Sequence, residues 1–220
     1  MKLSERLTAV ANMVKPCDCA ADIGTDHAYV PIYLCENNIV KRAVAGDVSK
    51  GSAQKALDNI IACGYADRID ARCGNGLKII EKKDNVGCII IAGMGGMLMR
   101  GILENGDISG VTQLVLQPQK DIPAVRRYIH IIGFKIENET MLCEDNKYYN
   151  VISAVRGSET YTEKEYELGK ILIDGKDKTL KTWLLFEIQK LENLIGLMNG
   201  QKLAEAQDKL KMYKEVILCL

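Results

Sequence analysis

Hydrophobic and polar positions alternate in blocks along the first two thirds of the chain. Residues 3–14 place Leu3, Leu7, Val10, Ala11 and Val14 on one helical stripe, stopped by Pro16. A strand is expected over about 18–23. Its helix should begin near Tyr29, with Pro31 in a first turn whose N–H groups lack partners anyway. A second strand over 43–47 leads into a helix over 49–63, for which Ser49 is at least as good an N-cap as Asp47. Residues 68–73 alternate as a third strand, closed by the turn signal Gly74-Asn75-Gly76. The fourth strand, 87–92, is continuously apolar, as a buried parallel strand must be. It opens into Gly93-Met94-Gly95-Gly96 and a helix over about 97–104. A fifth strand and its exit cover 112–119, and a helix follows over about 121–132, with Arg126 and Arg127 expected on its exposed face. Two β-rich runs then flank Glu144-Asp145-Asn146-Lys147 and read as a hairpin.

Five β/α units closed by a hairpin predict an α/β fold. The match is the Rossmann-like seven-stranded sheet of S-adenosylmethionine methyltransferases, whose last strand runs antiparallel; dehydrogenase sheets lack that ending. After Gly157 the strands stop. Leu180, Leu184, Ile188, Leu191, Ile195 and Met198 make one heptad-like stripe. Leu203, Ala206, Leu210, Tyr213, Ile217 and Leu220 make another, with Asn199-Gly200 between them. The pattern predicts an antiparallel coiled-coil hairpin, preceded by one short helix over 162–173. The expected division is therefore a methyltransferase domain over 1–157 and a helical coiled-coil domain over 158–220.

Charge and composition narrow the picture. Lysine plus arginine and aspartate plus glutamate both number 29, which argues against a broadly basic nucleic-acid coat. Residues 156–220 alone carry eleven basic and eleven acidic side chains, so the appendage is a neutral arm. The start, Met1-Lys2-Leu3-Ser4, has no apolar run of the signal-peptide kind, and no stretch approaches the ~20 apolar residues of a membrane span. A cytoplasmic location is expected. Eight scattered cysteines include only one close pair, Cys17 and Cys19, with no histidine cluster to complete a metal site. They read as reduced thiols used as small hydrophobes, and no metal is expected.

The chemistry concentrates at Asp22-Ile23-Gly24-Thr25-Asp26-His27-Ala28-Tyr29. Strand, tight turn and helix N-terminus in that order make the nucleoside-binding corner of an open α/β sheet. The dinucleotide fingerprint is broken, because Asp26 stands where its second glycine would be. A pyrophosphate would be repelled by Asp22 and Asp26. A ligand with a positive centre suits the place, and S-adenosyl-L-methionine has a sulfonium beside an α-ammonium. Asp47, at the tip of the second strand, is placed to accept both ribose hydroxyls. Asn75 is placed to meet the base edge, and the glycines after the fourth strand allow close approach of backbone to a ligand. Arg6 is expected to be solvated rather than to reach the cleft. Lys41, Arg42, Arg126 and Arg127 are candidate phosphate contacts.

Taken together, these motifs resemble the bacterial tRNA (adenine-22, N1)-methyltransferases. The resemblance runs from Leu3-Ser4-x-Arg6-Leu7 through Asp22-Ile23-Gly24-x-Asp26-His27-Ala28-Tyr29, Gly74-Asn75-Gly76-Leu77, Ala92-Gly93-Met94-Gly95-Gly96 and Leu116-Gln117-Pro118 to the arm. It implies methyl transfer from S-adenosyl-L-methionine to N1 of adenine 22 in the D-arm region of tRNA. Two departures are Asp47, often glutamate in the family, and Asn75, often an acid. On this basis Asp26, His27 and Tyr29 are the expected catalytic residues. Asp22, Gly24, His27, Asp47, Val48, Asn75, Gly76, Ala92 and Gly93 are the expected cofactor residues. The partner is tRNA, with no membrane and no metal, and the oligomeric state stays open with a monomer favoured. The rival readings are a nicotinamide-dependent oxidoreductase on the same sheet and a catalytically silent tRNA-binding scaffold.

Overall fold

Most blocks of the pattern fold close to where their period places them. The computed structural model describes residues 2–220. Helix α1 (Glu5–Asn12) starts at Ser4, whose side chain accepts from the Leu7 N–H, and buries Val10 and Ala11. Strands β1 (Cys17–Ile23), β2 (Val40–Asp47), β3 (Ile69–Cys73), β4 (Cys88–Gly95) and β5 (Gln113–Lys120) form a parallel array. Helices α2 (Tyr29–Glu36), α3 (Lys50–Ala62), α4 (Gly96–Glu104) and α5 (Ile122–Ile131) connect or follow them. Ser49 caps α3 by accepting from the Ser52 N–H, as its position suggested. Strands β6 (Phe134–Glu144) and β7 (Lys147–Arg156) close the sheet in the order β3-β2-β1-β4-β5-β7-β6. Strand β7 runs antiparallel to β5, the expected methyltransferase ending. Asp145 and Asn146, both at positive φ, make the tight turn between β6 and β7.

The sheet core is Ile, Val, Leu and Ala, with Ile89, Ile90 and Ile91 of β4 fully buried at its centre. Leaving water contributes roughly 1.5–3 kcal/mol for each such side chain, so β4 anchors the sheet. Strand order reverses between β1 and β4, and a cleft at a topological switch point is expected beyond their C-terminal ends.

Chain contacts separate two compact units. One comprises the chain up to Thr140 with Tyr149–Thr160; the other comprises Met141–Tyr148 with Tyr161–Leu220. The second holds α6 (Glu163–Leu168), α7 (Lys170–Asp174), α8 (Lys178–Ile195) and α9 (Gly200–Ile217) around Met141, Leu168, Leu172, Leu180, Leu184, Tyr213 and Val216. The single helix expected over 162–173 is two. Gly169, at φ +91°, breaks the register between α6 and α7, a conformation open to glycine and strained for other residues.

Arg126 is not on an exposed face. Its side chain is 1 % exposed and pairs with the buried Glu139: Nη2 donates to Oε1 at 2.6 Å, and Nε to Oε1 and Oε2 at 3.1 and 3.3 Å. Asn150 donates to the same carboxylate. The helical stripe of α5 turns this arginine inward with Val125 and Ile129, so it cannot meet a phosphate.

Candidate active site

A cleft of about 360 Å³ opens where β1 and β4 end. The expected residues Asp22, Gly24, Asp26, His27, Tyr29, Ala92 and Gly93 all line it. Asp47 ends β2, next to β1, and Val48 follows it, while Asn75 and Gly76 line a separate cavity against Leu98 and Ile102 of α4. Asp47 uses one oxygen to accept from the Ser49 N–H at 2.7 Å, and Val48 is exposed.

Backbone shape makes the cleft. Gly24 has φ +84°, and a Cβ there would fall 1.7 Å from the Met94 methyl. The Gly24 and Thr25 N–H groups both donate to the Gly46 carbonyl, which pins the β1 corner to β2. Gly93, at φ +77°, presents bare backbone to the opposite wall.

Asp22 is the electrostatic centre. It is 7 % exposed, and among the described residues no lysine or arginine pairs with it. Burial pushes its carboxyl up to about 6, only partly opposed by a hydrogen bond from Thr25, and Asp47 nearby pushes in the same direction. The site therefore holds a buried acid with no cation paired to it, the arrangement that suits an incoming positive group and repels a pyrophosphate.

Asp26 stands differently. It is 57 % exposed, and a hydrogen bond from Ser52, with His27 and Lys55 beside it, holds its carboxyl below the usual range. It does not cap α2. The cap residue is Ala28, in the left-handed region, and the Ala28 N–H donates to the Thr25 hydroxyl instead. His27 Nε2 lies 3.1 Å from Asp26, and the His27 ring stacks on Tyr29 at 5.0 Å between centroids and 10° between planes. Tyr29, 39 % exposed, lines the cleft.

Three groups of site residues were missed in the sequence. Ser52, Lys55 and Asn59 project from α3 toward the loop; their spacing of three and four marks one helix face, a signal that was available. Arg6 is not simply solvated. Because α1 packs by β5, its guanidinium lines the cleft and donates to the Gln117 side-chain oxygen at 2.8 Å, an oxygen that also accepts from the Gly93 N–H. Gln117, fully buried in a β-strand, and Gln119 at the cleft wall complete this side.

A model of the methyltransferase domain matches residues 3–152. The Bacillus subtilis tRNA (adenine(22)-N(1))-methyltransferase is 33% identical, the alignment covering 99% of this chain and 98% of that one. A Streptococcus pneumoniae structure, described as a candidate tRNA (m1A22) methyltransferase in complex with S-adenosyl-L-methionine, superposes with TM-score 0.91 at 33% identity, covering 98% of this chain and 100% of its own. The structure of M. capricolum TrmK with S-adenosyl-homocysteine superposes equally well, at 29% identity, over 100% and 99% of the two chains.

Proposed function

The chain belongs to the family of tRNA (adenine(22)-N(1))-methyltransferases, and on that premise we propose how its cleft divides the work. The protein is an S-adenosyl-L-methionine-dependent methyltransferase acting on N1 of adenine 22 in tRNA. S-adenosyl-L-methionine supplies, when bound, an electrophilic methyl group on a positively charged sulfur.

The residues present fit that group. Asp22 faces the cationic methionine end, the bare backbone at Gly24 and Gly93 lets it lie close, and Asp47 accepts from the ribose with the oxygen that Ser49 leaves free. Asn75 and Gly76 follow β3 and serve the adenine side, with Val48 as an exposed apolar cover. Arg6, held by Gln117, meets a carboxylate. The observation that carries this assignment is Asp22, a buried acid with no internal cation.

On the acceptor side, N1 of adenine carries an in-plane lone pair, so no proton has to leave before attack. Positioning can then supply much of the rate, up to ~7–11 kcal/mol in favourable cases. Tyr29, exposed and stacked on His27, gives an extruded base an aromatic face. Asp26 sets a negative charge near the base as it becomes a cation. A dinucleotide would instead bring its phosphates against Asp22 and Asp26. The helical unit at 158–220 is assigned to holding tRNA, in the cytoplasm where tRNA matures.

The test is methylation of an unmodified tRNA transcript with labelled donor, followed by nuclease digestion and mass spectrometry. Label on N1 of adenine 22, lost when that position is guanine, is expected. Label elsewhere overturns the acceptor assignment, and full turnover by Tyr29→Ala overturns the stacking role.

A further inference from the structure

His27 has two ring nitrogens and one neighbour at each. Asn59 Nδ2, on α3, lies 3.1 Å from the His27 carbonyl oxygen and 3.3 Å from His27 Nδ1. The carbonyl can only accept, so the nitrogen of the Asn59 amide, and not its oxygen, must face the loop. That nitrogen has two hydrogens, one for the carbonyl and one for Nδ1. Nδ1 is therefore an acceptor, and the ring proton sits on Nε2, from which it is donated to Asp26 at 3.1 Å.

We propose that Asn59 is a positioning residue that holds His27 as the neutral Nε2–H tautomer and so sets the His27–Tyr29 stack. This rests on the reading of that stack as the acceptor side. A proton on Nδ1 would meet the Asn59 N–H donor, so that nitrogen stays bare. The charged groups facing the ring are Asp26 on its own loop and Lys55 on α3, which lies 3.6 Å from Asp26; Tyr29 of α2 covers a ring face. With both nitrogens engaged, His27 is not a proton acceptor in the reaction. It offers a neutral ring face where an adenine acquires positive charge. An imidazolium there would oppose that charge.

The chain has two histidines, so imidazole ¹⁵N spectra of histidine-labelled protein are simple, and His27→Gln assigns them. The wild-type His27 spectrum should show a proton-bearing Nε2 and a bare Nδ1. Asn59→Ala should mix the tautomers and lower kcat about tenfold, the equivalent of one hydrogen bond, with Kd for S-adenosyl-L-methionine unchanged. Asn59→Asp, which replaces the donor by an acceptor, should move the ring proton to Nδ1 and lower kcat likewise. A wild-type His27 spectrum in Asn59→Ala overturns the proposal, as does wild-type kcat despite mixed tautomers. Full tRNA methylation by His27→Gln overturns instead the underlying reading of the stack, whatever tautomer the wild-type spectrum shows.

Discussion

Asp22 at the end of β1 and Glu139 on β6 are both carboxylates withdrawn from water, and the chain treats them in opposite ways. Glu139 has its countercharge inside the fold, a two-point pairing with Arg126 reinforced by Asn150. Asp22 has only Thr25, and burial raises its pKa accordingly. A buried charge that the protein compensates is structural; the proposed function gives the uncompensated one, at the mouth of the cleft, to the ligand. Burial alone does not separate the two, since both are nearly inaccessible. The presence or absence of an internal cation does.

The comparison breaks most visibly at its structural end. Arg126→Met leaves Glu139 charged and buried without its countercharge, with only the Asn150 amide donating to it, which should cost about 3–5 kcal/mol in equilibrium denaturation. Adding Glu139→Leu should recover most of that loss, because a pair of apolar side chains needs no compensation. A single variant that unfolds at the wild-type midpoint would refute the assignment.

At the other end the signs reverse. Asp22→Asn should weaken donor binding roughly ten- to hundredfold by calorimetry, the loss expected for a charged contact. The same change should stabilise the unliganded protein by up to about 2 kcal/mol, since it removes the cost of a buried charge. Loss of both affinity and stability would mean that Asp22 is structural after all.

The pH dependence sharpens this further. The native Asp22 pKa, about 6, is raised above its unfolded value, so the folded state binds the extra proton between about 4 and 6. This group therefore costs the free protein stability as pH rises through that window, and the cost is full above it. Donor binding runs the other way. Affinity should be full above pH ~6 and fall about tenfold per unit below it, in wild type and not in Asp22→Asn. A wild-type Kd flat from pH 7 to 5 would remove Asp22 from the cationic site.

The smallest effect belongs to Asp26, which is exposed and shared among Ser52, His27 and Lys55. Asp26→Asn should lower turnover about two- to fivefold with donor Kd and unfolding midpoint unchanged, in keeping with the weakness of exposed ion pairs. A drop in stability of the size of a lost helix cap would contradict the structure, in which Thr25 serves Ala28.

Local period and turn chemistry were enough to place the parallel strands, the hairpin at Asp145-Asn146 and the Ser49 cap, because each depends on neighbours a few residues away. The loop Asp22–Tyr29 was legible for the same reason: a strand, a glycine and two acids in sequence already define the charge of the corner. What lay beyond reach was any property set by a partner distant along the chain. Arg126 looked like a surface arginine until Glu139, 13 residues on, took it into the core. Arg6 gains its place in the cleft from Gln117, 111 residues away, and the His27 proton is placed by Asn59, 32 residues away. Gly169 breaks a helix whose polar and apolar pattern runs straight through it. Sequence alone thus determined the elements and the sign of the site, since these follow from short-range sterics and formal charge. Only the tertiary structure decided which charges are compensated, because compensation is a matter of a few ångströms between residues that the chain itself keeps far apart.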